Sequence, residues 1–466
     1  MEDFTLFHQT NQSLTPRLFE AISLLVLMVV IMTSSILFFN ATPHIPVLIV
    51  IIMLLCYGWI KKVPYKTMEQ GIVDGAKSGL AAIFIFFFIG ILISAFIMSG
   101  TIPTLIYYGF ELISGRFFYM IVFLVACIVG VAIGSSLTTT ATIGVAFIGM
   151  AQAMDLSLAI TAGAIVSGAF FGDKMSPLSD TTNLSSSIMN VDLFEHIKNM
   201  AWTTVPALAI SAIIYAILSP SNHALSDSNV GSFKEALFAT DLVHWYTLLP
   251  IVVLLLFAFK KVPAIPTLII ASILAIALSY GHHVHTATQI ADLLFNGYKS
   301  TTGVEAIDSL LTRGGISNMF FTIALVLLAL GMGGLLFTLG IIQTVLAKIE
   351  HLFKSAGSAI TGAATTAIGV NFFIGEQYLS ILLPAETFQQ QFKKVGLAPK
   401  NLARTVEDAG TVVNPLIPWS VCGIFIASVL HVDTMTYAPF ALFCLLSPIL
   451  TIVFGWTGKT LTYIKK

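Results

Sequence analysis

Charged residues are scarce in this sequence. Only 10% of its 466 residues are Asp, Glu, Lys or Arg, whereas soluble proteins carry about 25%. Apolar residues make up 57% of the chain, and the mean hydropathy is +0.93. This composition excludes an ordinary soluble domain and predicts an all-α polytopic protein embedded in a lipid bilayer. The net charge of −1 offers no basic surface, so no nucleic-acid partner is expected.

Cysteine and the sequence motifs of common enzymes are also scarce. The chain has four cysteines, and none belongs to a CxxC pair, so neither a disulfide framework nor a zinc site is indicated. The motifs HExxH, GxSxG and GxxxxGK[ST] are all missing. We therefore expect neither an enzyme nor a directly ATP-driven pump, and we expect no cofactor.

The N-terminal segment lacks the basic residues that begin a secretory signal. Residues 1–17 contain Glu2, Asp3 and a single arginine, Arg17. The apolar run that follows, 21–39, is longer than the signal-peptide core of about 7–15 residues. We expect it to be retained as the first membrane helix.

Lysine and arginine cluster in a few short loops between the apolar segments. The positive-inside rule assigns these loops to the cytoplasm, and the segments between them give a predicted 12 to 14 crossings. Segments 117–154 and 356–391 could each be two spans or one re-entrant hairpin. Segment 99–115 is short and broken by Pro103, and we expect it near the outer surface, while Glu195, His196 and Lys198 are expected in a short loop. Both termini are predicted to be cytoplasmic, and the expected location is the inner membrane. The clustered basic residues are Lys61, Lys62, Lys66, Lys260, Lys261, Lys393, Lys394, Lys400 and Arg404.

The most informative stretch, 172–184, reads GDKMSPLSDTTNL and lies within an apolar region. It contains Asp173, Lys174 and Asp180, and each such ion at the centre of a membrane helix costs about 2.5–3.5 kcal/mol. These side chains must therefore face a cavity, a partner or an ion. Pro177 interrupts the helical hydrogen bonds and frees nearby carbonyl groups. Broken helices of this kind hold the ion sites of secondary transporters.

Two halves of the chain resemble each other at a separation near 240 residues. Segment 74–112 pairs with 318–352. SSLTTTATIG, beginning at Ser135, pairs with GEQYLSILLP, beginning at Gly375, and SPLSDTT at Ser176 pairs with NPLIPWS at Asn414. Charge placement makes the first pair run in opposite directions, which predicts inverted-topology repeats.

These observations divide the chain into four regions. The first, 1–66, contains N-terminal helices, and 67–218 is the first transport repeat. Region 219–317 contains an external loop, two linking helices and a connector. The second transport repeat and a C-terminal helix occupy 318–466. Three histidines stand in the connector, where we expect solvated loop residues, with a metal-binding or pH-sensing cluster as the alternative: His282, His283 and His285.

The stretch GDKMSPLSDTTNL resembles the signature of the NhaC-type Na⁺/H⁺ antiporter family, which includes relatives that couple malate uptake to Na⁺ and lactate exchange. Chain length, hydropathy and the motifs of the second half fit the same family. The resemblance implies the ion-transporter type of fold, with paired hairpins and broken helices. It also implies exchange of Na⁺ for H⁺, or a Na⁺- and H⁺-coupled exchange of organic acids such as malate and lactate.

A Na⁺/H⁺ exchanger needs a carboxylate that binds either the cation or a proton, surrounded by neutral oxygen ligands. Asp180 lies among Ser179, Thr181, Thr182 and Asn183, so we predict a Na⁺ site built on Asp180, with Asp173 and Asn183. Ser176 is a further candidate ligand. Alternatively, Asp173 forms a structural pair with Lys174 that only holds the break. Lys174 could also bind an organic anion.

Further candidates lie in both halves. Thr139 and Thr140, in a hydroxyl-rich segment, could offer neutral oxygens or could bond back to carbonyls of their own helix. In the second half, we predict proton-carrying or ligand roles for an intramembrane polar set, and we expect Glu407 and Glu386 to face the basic cytoplasmic loop. The members of that set are Asn371, Glu376, Asp408, Thr411 and Asn414. A homodimer is left open.

Overall fold

A computed structural model describes residues 13–39, 41–112, 116–220, 227–349 and 353–464. Throughout these ranges the secondary structure is helical, apart from one isolated bridge between Leu397 and Tyr463. Glu2, Asp3 and part of the predicted loop after the first repeat lie outside the described residues.

The first 279 residues supply fourteen helices within the described ranges, numbered here in chain order. A π turn over Thr140–Gly144 joins α7 to α8. The bounds are α1 Leu18–Phe39, α2 His44–Ile60, α3 Tyr65–Ser78, α4 Leu80–Met98, α5 Thr101–Leu112, α6 Phe118–Ile133, α7 Ser136–Thr139, α8 Val145–Ala153, α9 Leu158–Met175, α10 Asp180–Ile188, α11 Leu193–Leu218, α12 Asp227–Phe238, α13 Leu249–Phe259 and α14 Ala264–Ser279.

The remaining described residues add ten helices. A second π turn, Glu407–Thr411, follows α21. The bounds are α15 Ala287–Asn296, α16 Glu305–Leu311, α17 Ile316–Thr338, α18 Ile341–Ile349, α19 Ala356–Ile374, α20 Gln377–Lys394, α21 Pro399–Val406, α22 Val421–Leu430, α23 Thr434–Tyr437 and α24 Leu442–Thr457.

Among the described residues, six helices are long and apolar enough to cross a membrane, or up to eight if two bent pairs each count as one span. The same part of the chain contains four shorter apolar helices. The predicted 12 to 14 crossings are reached, at the lower limit, only if the shorter helices cross as well. Large apolar side chains on the outside of α1, such as Phe19 and Phe38, suit contact with lipid.

Three segments predicted as a broken segment, a short loop and a connector contain helices. Residues 101–112 form α5 despite Pro103, because a proline in the first turn lacks only a donor that is unsatisfied there anyway. Glu195, His196 and Lys198 belong to α11, which begins after the cap residue Asp192. The predicted connector contains α15 and α16.

The two broken segments contact each other, and each packs against the other half of the chain. Helix α9 packs along α6, where Gly172 meets Gly130 so closely that an added Cβ would lie 2.4 Å from the neighbouring backbone. Helix α10, which follows the first break, packs against α20, α21 and the second π turn. Helix α22, which follows the second break, packs against the first π turn. Each half therefore supplies the surface on which the other half's broken helix rests.

Candidate functional site

The first break lies between α9 and α10, where the sequence predicted it. Ser176 and Ser179 have extended backbones, and the hydroxyl of Ser179 caps α10 by accepting from the Thr182 N–H at 3.4 Å. The Asn183 amide donates to the carbonyls of Pro177 and Ser179 at 3.1 and 2.7 Å. Side chains of the motif thus satisfy the backbone groups that the break exposes.

The second break follows the π turn Glu407–Thr411. The amide of Asn414 donates to Asn371 Oδ1 at 2.8 Å, and its oxygen accepts from the Cys422 N–H at 3.0 Å. The amide of Asn371 donates in turn to the Gly410 carbonyl at 2.6 Å. These two asparagines stabilise the irregular backbone at the second break through hydrogen bonds, so Asn414 has a structural role there.

The same backbone conformations occur at both hairpin corners, 241 residues apart. Gly134 and Gly375 are both left-handed, with φ of 70° and 75°. Each is followed by an extended residue that caps the next helix, Ser135 in the first half and Glu376 in the second. The counterpart of Glu376 is therefore Ser135, and the sequence pairing with Ser136 was wrong by one residue.

The two breaks correspond at the same separation of 241 residues. Ser176 and Ile417 are both extended, and Ser179 and Ser420 are both extended caps. The sequence alignment had placed Ser176 opposite Asn414, three residues away from its structural counterpart. Short polar motifs that share few identical residues do not fix the alignment of the two halves to the exact residue.

Lys174 joins the two halves. It is fully buried and forms an ion pair with Asp408 of the second π turn. Its ammonium group also donates to the Ser447 hydroxyl at 3.1 Å, and Thr451 donates to the same aspartate. The predicted alternative of a local pair between Lys174 and Asp173 is wrong, because the lysine leaves its own segment to reach the other half.

Asp173 belongs to a different contact. Its carboxylate accepts from the backbone N–H of Ser136 at 3.2 Å and from the Ser136 hydroxyl at 2.7 Å. Ser136 begins α7, so the carboxylate lies at a helix N-terminus, where negative charge is favoured. Asp173 therefore connects the first break to the adjacent hairpin corner.

Asp180 opens onto a cavity of about 450 Å³. Asn183, Ser135 and Thr138 line the same cavity, and Lys261 is among the residues at its wall. The Tyr378 side chain from α20 hydrogen-bonds to Asp180. The structure thus brings Asp180 and Asn183 together, whereas Asp173, predicted to join them in one Na⁺ site, does not line this cavity.

Glu407 lies inside the protein, not at the surface where the sequence predicted it. Its carboxylate is completely buried and accepts from the hydroxyls of Thr181 at 3.1 Å and Thr411 at 2.9 Å. The prediction that it faces the basic cytoplasmic loop is wrong, because the π turn directs it inward. Glu386, its companion in that prediction, is exposed.

Comparison with known proteins identifies the family. Residues 168–459 match the family model described as the Na⁺/H⁺ antiporter family. The chain belongs to the Na⁺/H⁺ antiporter family. It is 41% identical to the Na⁺/H⁺ antiporter NhaC of Alkalihalophilus pseudofirmus, over 93% of this chain and 94% of that one. It is 38% identical to the Na⁺/H⁺ antiporter NhaC of Bacillus subtilis, over 94% and 98% of the two chains.

Another relative is named for a different exchange activity. The malate-2H⁺/Na⁺-lactate antiporter of Bacillus subtilis is 32% identical to this family member over 97% of both chains. The predicted family and its organic-acid branch are therefore both represented among the relatives. The resemblance that the motif at 172–184 carries is confirmed.

Most of the predicted hydroxyl ligands in this member of the Na⁺/H⁺ antiporter family bond to backbone carbonyls. Thr139 and Thr140 donate to carbonyls one turn earlier, each at 2.8 Å. Thr182 donates to the Lys174 carbonyl at 3.0 Å, and Ser176 to the Val131 carbonyl at 2.8 Å. Their oxygens retain lone pairs for a cation, and a ligand role stays a prediction.

The remaining candidates from the sequence are Glu376 and the three histidines of the connector. Glu376 caps α20 by accepting from the Leu379 N–H at 2.7 Å. Across the described ranges, no three His, Cys, Asp or Glu side chains are grouped to hold a metal ion. His282 and His283 contact each other through their rings, with centroids 5.5 Å apart. Burial lowers the pKa of His282, which favours the neutral ring.

Proposed function

We propose that this protein exchanges Na⁺ for H⁺ by alternating access at the contact between its two broken segments. One observation carries the proposal: buried carboxylates and hydroxyls from both halves meet at that contact, beside a cavity lined by Asp180. Buried acidic groups are costly unless they bind a proton, a cation or a partner. At a site where Na⁺ and H⁺ compete, binding of either ion offsets that cost.

The cavity supports access from one side. Lys261 lies at its wall, and the positive-inside rule assigns the Lys260–Lys261 pair to the cytoplasm. On this assignment the structure is open to the cytoplasm, and an ion that enters the cavity meets Asp180 and Asn183 at its wall. The same rule supports cytoplasmic termini and an inner-membrane location.

The division into two transport repeats, 67–218 and 318–466, is part of the proposal. The matched corners at Gly134 and Gly375 and the matched caps at Ser179 and Ser420 support it. If the halves are inverted copies, each can adopt the conformation of the other, and this exchange moves the opening to the opposite side. A homodimer remains a prediction.

Exchange of organic acids is the second candidate, favoured by the malate/lactate relative. An organic anion needs a cation or unpaired donors in the membrane core. Lys174, the predicted cation for that role, is bound to Asp408 and Ser447. It could bind a carboxylate substrate only by giving up this pair, and we therefore place cation exchange first.

The test uses purified protein in sealed liposomes that contain a pH-sensitive dye. Na⁺ is added alone, and then with malate on one side and lactate on the other. Proton movement with Na⁺ alone supports the first candidate, and its rate should rise between about pH 6 and about 9 as carboxyl groups lose protons. Movement only with both organic acids would instead establish the second candidate.

A further inference from the structure

One buried carboxylate oxygen stands out within the described ranges. Oε2 of Glu407 is enclosed and has no hydrogen-bond partner, while no other carboxylate oxygen shares both properties there. We propose that Glu407, with the hydroxyls of Thr181 and Thr411, forms a Na⁺ site between the two halves. This inference rests on the proposed exchange of Na⁺ for H⁺ and adds a residue that the sequence had assigned to the surface.

The oxygen atoms are already grouped. Oε1 of Glu407 lies 3.1 Å from the Thr181 hydroxyl and 2.9 Å from the Thr411 hydroxyl. The Ser179 hydroxyl is a further 3.0 Å from that of Thr181. The group combines one carboxylate with neutral oxygens, which is the ligand chemistry that hard cations prefer.

Within the described residues, Glu407 forms no ion pair with a lysine or arginine. Lys174 attracts the Glu407 carboxylate electrostatically, but its own ion pair is with Asp408. Arg404, one turn before Glu407, directs a guanidinium nitrogen to Thr460 at 3.2 Å. An ionised carboxylate in such a setting is expensive, and a bound Na⁺ would supply the missing charge and the missing partner of Oε2 together.

A purely structural carboxylate behaves differently in this protein. Glu376 caps a helix and Asp173 holds Ser136 at two points. Glu407 instead accepts from the hydroxyls of Thr181 and Thr411, and the hydroxyl of Ser185 also lies near its carboxylate. Hydroxyls can rotate to present lone pairs to a cation, whereas backbone N–H donors cannot.

The ligands come from both broken segments. Thr181 belongs to the first turn of α10, and Glu407 and Thr411 belong to the second π turn. A relative movement of the two halves would therefore take the ligands apart. Binding and release of the ion would be coupled to the movement that opens the site.

The experiment compares Glu407→Gln with wild type in two assays on the full chain. The first measures proton movement in liposomes against NaCl concentration, with choline chloride as replacement. The second measures the melting temperature of the purified protein in NaCl, KCl and choline chloride, which reports ion binding without transport. The matched control is Glu386→Gln, an exposed glutamate on α20, and it should behave as wild type in both assays.

We expect Glu407→Gln to lose both the Na⁺-specific rise in melting temperature and Na⁺-driven proton movement. Thr411→Val keeps the side-chain shape but removes the hydroxyl, and it should raise the half-saturating Na⁺ concentration about 10-fold. Thr411→Ser, which keeps the hydroxyl, should restore most of that loss. If Glu407→Gln does not fold, Thr411→Val tests the Na⁺ site in its place.

The two assays test the Na⁺ site at Glu407 and the proposed Na⁺/H⁺ exchange separately. An unchanged Na⁺-specific stabilisation in both Glu407→Gln and Thr411→Val would overturn the site. If wild type shows that stabilisation but moves no protons with Na⁺, the proposed exchange is wrong, while loss of the stabilisation in the variants still supports the site. Stabilisation of wild type that is equal in NaCl and KCl would overturn the assignment to Na⁺.

Discussion

Lys174 and Asp408 are 234 residues apart in sequence and form a fully buried ion pair. The lysine ends α9 just before the first break, and the aspartate belongs to the π turn before the second. Neither break is held in place by its own half alone. The pair therefore ties together the two elements whose relative movement alternating access requires.

Removal of the lysine should be strongly destabilising. Lys174→Met leaves Asp408 buried without its cation, a change that costs about 3–5 kcal/mol. Adding Asp408→Asn to that variant should recover much of the loss, because the amide carries no charge. Melting temperatures of the purified proteins measure both effects. The partly exposed pair Lys234–Glu111 is the control, since Lys234→Met should cost only about 0–1 kcal/mol. Equal losses at the two lysines would contradict this account.

Asp180 should be required for exchange but not for folding. Asp180→Asn preserves shape and removes the charge that faces the cavity, so Na⁺-driven proton movement should fall by roughly 100-fold or more. The amount of protein in the membrane should not change. Asp155→Asn is the matched control, because Asp155 is exposed and its left-handed backbone suits asparagine equally well. Normal exchange by the Asp180 variant would remove this residue from the mechanism.

The corner glycines should differ in their tolerance of alanine. Gly134, Gly375 and Gly458 are all left-handed, so each alanine carries a backbone cost of about 1–2 kcal/mol. An added Cβ at Gly134 would lie 2.6 Å from the Leu178 side chain, and at Gly375 it would lie 3.1 Å from a carbonyl oxygen. At Gly458 nothing lies within 4 Å. Melting temperatures should therefore fall most for Gly134→Ala and least for Gly458→Ala, and any other order would contradict this view of the corner.

The connector should loosen in acid at Asp308. Its carboxylate accepts from the hydroxyls of Ser300 and Thr302 and from two backbone N–H groups. These bonds lower the pKa of Asp308 to about 2. A lowered pKa in the folded state means that the contribution to stability is present above the ordinary pKa near 4 and is lost as the pH falls through about 2.

Pepsin cleavage near residues 300–308 measures this loss. Cleavage should increase between about pH 4 and about pH 2. Asp308→Asn should already be cleaved readily at the upper pH, because the amide accepts the same bonds more weakly. Asp292→Asn, on the neighbouring helix α15, serves as the control. Cleavage that does not depend on pH in wild type would show that Asp308 does not hold the connector.

Local properties of the sequence predicted most of the fold. Apolar composition predicted the membrane helices, and Pro177 with its polar neighbours predicted the first break. Both depend on residues near one another in the chain, since burial in lipid and backbone hydrogen bonding are satisfied within one segment. The segment around Pro103 was misread for the same reason, because a proline's effect depends on its place within the helix.

The sequence by itself determined that the protein spans a membrane, where its helices break and which polar residues lie at those breaks. Only the tertiary structure decided which of these residues meet. It paired Lys174 with Asp408 in place of Asp173, and it enclosed Glu407 between Thr181 and Thr411. The physical reason is that helix breaks arise from local backbone chemistry, whereas ion pairs across hundreds of residues depend on how the two halves pack.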